Sequence, residues 1–182
     1  MTDETVLIEQ LINVQTREKA FRELISLYKE RLYWHVRKIV ISHDDTDDVL
    51  QNTFIKIYKN IGKFKQESKL FSWMYRIATN EAITFINKRN KERNIDISEV
   101  QEQIVSTLES DIYFSGEEIQ EILQKAIASL PQKQQLVFNM KYFDNMKYTQ
   151  ISEILGTSVG ALKASYFHAV KKIESYIKKQ LN

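Results

Sequence analysis

The stretch Tyr148–Ile173 (YTQISEILGTSVGALKASYFHAVKKI) constrains the fold more than any other part of the chain. It reads as two helices separated by a break too short to hold another element. Ile151, Ile154 and Leu155 recur at helical spacing in the first. Gly156 then permits a turn that a helix cannot make, and Ser158 suits the N-cap of the second helix. That second helix buries Val159, Leu162, Tyr166, Ala169, Val170 and Ile173 on one stripe. This is the helix-turn-helix pattern.

At about 100° per residue, the opposite face of that second helix presents Gly160, Ala161, Ala164, Phe167, His168, Lys171 and Lys172. Lys163 and Ser165 lie towards its edges. A merely solvated face would carry Glu and Lys throughout, whereas this one is small near its start and basic near its end. Small side chains let a helix backbone sit deep in a major groove, and lysines neutralise phosphates. Phe167, apolar where water should be, can meet a thymine methyl. The competing reading is an ordinary helical hairpin that tolerates an exposed Phe.

One Pro and four Gly in 182 residues leave little to interrupt helices, and 43% hydrophobic content is enough for real cores. Without cysteine there is no disulfide framework and no thiolate chemistry. No window reads as a membrane span, and the N-terminal MTDETVLIEQ lacks a secretory pattern. A soluble, cytoplasmic, all-α protein is expected. The net charge of +2 excludes a polycation, so its distribution carries the information. Residues 65–93 are basic, 96–118 acidic, and the tail after Lys163 basic again. Two small helical, anion-binding domains are therefore expected at 1–93 and 116–182, joined by a flexible acidic linker at 94–115. The second domain contains the helix-turn-helix.

Along the first domain, Thr5–Val14 reads as a short helix and Thr16–Ile41 as a long one. The apolar face of the long helix is Phe21, Leu24, Leu27, Tyr28, Leu32 and Val36. His35 and His43 lack ligand partners at metal spacing. Ser42–Asp48 breaks and caps the chain. Asp47–Ile61 comes next as a helix with Leu50, Phe54, Ile57 and Ile61 inside. Ile55 falls on its wet face, among Asp48, Gln51, Asn52 and Lys59, as an isolated exposed Ile or as part of a partner surface. Gly62 ends this helix, and Lys63–Leu70 is a polar, basic loop.

Phe71–Arg89 resumes as helix around Phe71, Tyr75, Ala78, Ala82, Phe85 and Ile86. Trp73, Arg76, Asn80, Thr84 and Asn87 share another side. Aromatics stack on unstacked bases and amides bond base edges. Arg76, Asn80 and Asn87 are accordingly read as DNA-facing, and Trp73 either as a stacking residue or as packing on a neighbouring helix. In the second domain, Glu117–Ala128 is amphipathic. Pro131 opens a helix that uses Leu136, Val137, Met140 and Tyr142, and Asp144–Asn145 turns the chain.

Three segments together resemble the bacterial sigma factors of RNA polymerase, in the compact two-domain form of the extracytoplasmic-function (ECF) group. DDTDDVLQNTFIKIYKNIGKF resembles the segment that docks on the polymerase clamp helices. FSWMYRIATNEAITFINKR is similar to the one that melts and reads the start-proximal promoter element. LPQKQQLVFNMKYFDNMKYTQISEILGTSVGALKASYFHAVKKI resembles the domain that reads the upstream element. The resemblance implies a transcription-initiation specificity factor that is not itself an enzyme and has no cofactor or metal. Its implied partners are core RNA polymerase, promoter DNA and an anti-sigma factor.

Residue by residue, the resemblance places Asp48, Gln51, Asn52 and Ile55 on polymerase. It places the loop with Lys65, Ser68 and Lys69 around a flipped base. Arg76, Asn80, Asn87, Lys88 and Arg89 lie along the strand or adjoining duplex. Ser158, Ala161, Lys163, Ala164, Ser165, His168 and Lys172 lie at the groove and its phosphates. The chain departs from the family pattern at Asn52, usually acidic, and at Thr84, commonly Asp. It departs also at Ala161, often Thr, and at Ser165 and His168, often Arg. Losing that Arg pair removes bidentate contacts, so promoter sequence cannot be borrowed from relatives. The rival readings are a stand-alone helix-turn-helix regulator and a nucleic-acid enzyme. The second lacks a carboxylate cluster, a phosphate-binding Gly loop and a nucleophile–base pair.

Overall fold

The computed structural model describes residues 3–93 and 118–181. The linker expected at 94–115 lies outside the described residues. The chain divides into two compact units, Met1–Phe85 and Ile86–Asn182. Among the described residues the regular structure is helical: α1 (Asp3–Ile12), α2 (Arg17–Val40), α3 (His43–Asn60), α4 (Leu70–Arg93), α5 (Glu118–Ala128), α6 (Gln132–Tyr142), α7 (Tyr148–Leu155) and α8 (Val159–Leu181), with a 3-10 turn at Ile61–Lys63. The fold is all-α, as the periodicity implies.

In the first unit, α1 lies on α2 through Leu7, Ile8 and Leu11, which join Ala20, Leu24, Ile57, Ile61, Leu70 and Met74 in one core. The unsatisfied carbonyls that end any helix are met at α1 by Arg17. Its Nε donates to Leu11 O at 2.9 Å and Nη2 to Ile12 O at 2.8 Å. Buried polar groups tie α2 to α4: His35 Nε2 is 2.8 Å from Thr79 Oγ1, and the His35 ring packs 4.8 Å from Tyr75. Arg37 is buried as well. Loss of water pushes its guanidinium below the ordinary value, partly opposed by the nearby Tyr33 hydroxyl.

Three expectations need correction. Helix α3 begins at His43 rather than Asp47, because Ser42 is its N-cap, accepting from Asp45 N at 3.4 Å. Asp44 and Asp45 thus sit in the first turn, where the helix dipole favours them. Helix α4 ends at Arg93, with residues 87–93 as the basic helix end its composition implies. Leu27 is 57% exposed although it continues the apolar face of α2, and Tyr142 is 56% exposed at the end of α6.

In the second unit, Ala126, Ile127, Leu130, Phe138, Ala169 and Ile173 form the core, and α8 lies against α5, α6 and α7. Pro131 stands just before the first residue of α6, with φ −55°, and its carbonyl accepts from Gln134 N and Gln135 N. Asn145 takes the left-handed φ of 50° in the turn before α7. Helix α8 is 23 residues long, so Tyr176 and Ile177 carry its packed stripe beyond Ile173.

Candidate nucleic-acid interface

The turn between α7 and α8 is built as the residues dictate. Gly156 is left-handed, φ 63°, and its N–H donates to Ser152 O at 2.9 Å. This is the conformation that only Gly adopts without strain. Ser158 Oγ accepts from Ala161 N at 3.4 Å, and its carbonyl accepts from Leu162 N. Leu162, Ala169 and Ile173 are buried, with Val159, Tyr166 and Val170 half-buried beside them. The outer face of α8 is therefore fixed by what its inner face packs on.

That outer face carries Gly160, Ala161, Lys163, Ala164, Phe167, His168, Lys171 and Lys172, all exposed, with Ser165 half-buried at its edge. Phe167 is 57% exposed, and Lys171 Nζ sits 5.4 Å from its ring centroid. Such cation–π contact holds an apolar side chain and a positive charge side by side. The first turn of the face is bare backbone and methyl. No heavy atom lies within 4 Å of where a Gly160 Cβ would be.

On α4, Arg76, Asn80, Thr84 and Asn87 form one exposed stripe. From Arg76 to Asn87 it spans about 16 Å at 1.5 Å per residue. Lys88 is exposed on the same helix, where Glu92 pairs it at 3.7 Å; such a surface pair holds the lysine by about 0–1 kcal/mol. Arg89 is half-buried. Trp73 is half-buried too, its ring 5.1 Å from the buried Phe64 and against the first unit's core. Phe64 anchors the loop 64–69, which exposes Lys65 and Lys69 and half-buries Ser68. Gln66 takes a left-handed φ of 57° at its tip.

On α3, Asp48, Gln51, Asn52 and Ile55 succeed one another at helical spacing and are all exposed, Ile55 by 44%. The opposite side of α3, with Thr46, Val49, Leu50, Thr53 and Ile57, is buried. Lys56 Nζ bonds Glu81 Oε1, joining α3 to α4. What the helical reading missed is the reach of α8. Ser175, Lys178 and Lys179 continue its outer face past Ile173, a signal present in the lysine spacing alone.

Comparison with known proteins agrees with this architecture. The "Sigma-70 region 2" family model matches residues 24–92, and the "Sigma-70, region 4" model matches residues 120–173. The ECF RNA polymerase sigma factor SigW of Bacillus subtilis is 31% identical over 155 residues, covering 80% of this chain and 82% of the relative. The ECF RNA polymerase sigma-E factor of Haemophilus influenzae is 29% identical over 188 residues, covering 97% and 96%. The chain belongs to the ECF RNA polymerase sigma factor family and is a transcription-initiation factor. Two solved structures share its fold. CnrH in complex with the cytosolic domain of CnrY has a TM-score of 0.71 at 18% identity, covering 97% of each chain. The sigma factor RpoE with the anti-sigma factor NepR, from Bartonella quintana, has a TM-score of 0.67 at 20% identity, covering 88% of this chain and 98% of that one. Among the described residues no helix is long and apolar enough to cross a membrane.

Proposed function

We propose that the chain binds core RNA polymerase through the α3 face of Asp48, Gln51, Asn52 and Ile55 and directs it to promoters by two separate grips. The α4 stripe, with Arg76, Asn80, Asn87, Lys88, Arg89 and the loop residues Lys65, Ser68 and Lys69, takes the start-proximal element as a melted strand. Trp73 supports this grip, either by stacking on a base at its free edge or by holding the loop through Phe64. The outer face of α8, from Ser158 to Lys172, takes the upstream element as intact duplex. The domains responsible are 1–93 and 116–182, with 94–115 as an acidic tether in a basic polymerase channel.

The observation that carries this reading is that separate helices leave bare two unlike faces, each suited to a different form of DNA. The α8 face is flat at its start, so its backbone can approach base edges in a major groove. The α4 face is long-armed and rich in amide, as splayed bases require. Extruding a base costs a few kcal/mol, roughly, which contacts along α4 offset. Either grip alone is weak. Polymerase raises the effective concentration of the second contact towards the mM range, roughly, once the first is made.

Both solved relatives are complexes with a partner, the cytosolic domain of CnrY in one and the anti-sigma factor NepR in the other. By that likeness an anti-sigma partner covers the α3 and α8 faces here and holds the factor idle. The site of action is the cytoplasm, where polymerase works. Run-off transcription with core polymerase on a promoter library tests the proposal. Recovery of a discrete promoter class, dependent on this chain, is expected; transcription no different from core alone would refute it.

A further inference from the structure

We infer that the duplex-binding surface of α8 extends past Ile173, where the matched region-4 segment ends, and that Lys178 and Lys179 take up backbone phosphates of the upstream duplex. This rests on the reading of α8 as the duplex-facing helix. At 3.6 residues per turn, 18 residues make roughly five whole turns. Lys178 therefore lies directly below Gly160 and Lys179 below Ala161, on the azimuth of the groove-facing residues rather than beside it. The separation is about 27 Å at 1.5 Å per residue. A helix that enters the groove at Gly160 and leaves it obliquely carries these long side chains towards the flanking backbone on the side that already faces the DNA.

Elsewhere in the chain Lys56, Lys88 and Lys125 are each held by a glutamate. Among the described residues Lys178 and Lys179 stand without a carboxylate partner, as Lys19 and Lys29 of α2 also do; what sets them apart is that they continue the azimuth of the groove-facing residues. Glu174 stands one turn before Lys178, the favourable spacing for a pair, yet it does not engage it. Lys171, Glu174, Ser175, Lys178 and Lys179 instead line an open groove of about 350 Å³ along the helix. Three ammonium groups and a hydroxyl against one carboxylate make that groove net positive. Unpaired ammonium groups in line with a DNA-reading face are the footprint of sequence-independent phosphate contact.

The test is Lys178→Gln/Lys179→Gln in the full chain, assembled with core polymerase, on a promoter duplex recovered by run-off selection. Gln is a good helix former, so α8 persists. The slope of log affinity against log salt is expected to become shallower by about 2, close to one per phosphate contact. Affinity falls by the same factor on recovered and scrambled duplexes. Lys19→Gln/Lys29→Gln on α2 removes the same charge elsewhere and leaves the slope alone. An unchanged slope for the α8 variant overturns the inference. So does an equal change in the α2 control, which makes the effect one of net charge. A loss of core-polymerase affinity with the slope intact also overturns it, in favour of an acidic protein surface. Failure to recover any promoter is visible before a variant is made, and it sinks the upstream-duplex reading itself.

Discussion

His35 and Thr79 meet in the core of the first unit, Nε2 to Oγ1 at 2.8 Å. The Thr79 hydroxyl donates its one proton to Tyr75 O at 2.7 Å. Its oxygen can then only accept from histidine, so His35 carries a proton on Nε2. This bond fixes α2 against α4 and so sets the direction in which the α4 stripe faces.

Removing the hydroxyl strands a buried donor. Thr79→Val keeps the shape of the side chain and should destabilise the first unit by about 1–3 kcal/mol. Thr79→Ser, which keeps the hydroxyl and loses one methyl, should cost less, about 0.8 kcal/mol. Denaturant unfolding read by tryptophan fluorescence measures this cleanly, because both tryptophans, Trp34 and Trp73, lie in the first unit. Equal costs for the two variants would show that the bond is idle.

The α3 face predicts a docking defect without a folding defect. Asp48→Lys with Ile55→Arg changes two exposed positions, so stability should stay within about 0.5 kcal/mol. Burying Ile55 in an interface is worth about 1.5–3 kcal/mol, so core-polymerase affinity should fall about tenfold or more. Pull-down or fluorescence titration against core polymerase decides; wild-type affinity would remove α3 from the interface.

Two glycines near the turn should respond with opposite sign. Gly156 has free space around it but a left-handed φ of 63°, so Gly156→Ala should cost about 1–2 kcal/mol from backbone strain alone. Gly160 also has free space, within a regular helix. There Gly160→Ala should stabilise the free protein by about 0.5–1 kcal/mol. If close backbone approach to DNA matters, the same change weakens upstream-duplex binding. Thermal unfolding by circular dichroism and duplex binding by the holoenzyme, taken together, separate the two effects. A Gly160→Ala protein that binds as tightly as wild type refutes the close approach.

The α4 stripe should distinguish strands from duplex. Arg76→Ala with Asn80→Ala is expected to reduce holoenzyme affinity for a single-stranded start-proximal oligonucleotide roughly tenfold, at about 1–3 kcal/mol for a lost base contact. Affinity for upstream duplex should be unchanged. Fluorescence anisotropy on the two probes measures both, and a matched loss on both would put α4 on general phosphate contact instead.

Much of this was legible because local chemistry and tertiary fold agree. Gly156, Ser158 and Pro131 punctuate helices in ways that depend only on near neighbours, and each occurs where its chemistry demands. The outer faces of α3, α4 and α8 were readable because the inner faces are strongly apolar. The rest needed knowledge of a neighbour. Leu27 continues a periodic apolar face, but no other described element of the first unit covers that turn of α2. Tyr142 ends α6 edge-on to Phe143 rather than inside the core. The start of α3 was misplaced because four aspartates within SHDDTDD read as a cap wherever the helix begins, and only the Ser42 bond decides. The burial of His35 and Arg37 had no local signal either. Thr79, far along the chain, is what satisfies His35.

Two modest grips on DNA should work only when polymerase aligns them. The decisive measurement is promoter affinity and selectivity of the purified chain with and without core polymerase, at fixed salt. Weak, poorly selective binding is expected from the chain alone, with a gain of at least about a hundredfold in the complex, consistent with linked contacts. Full affinity and full selectivity from the chain alone, with core polymerase adding nothing, would contradict that dependence on polymerase.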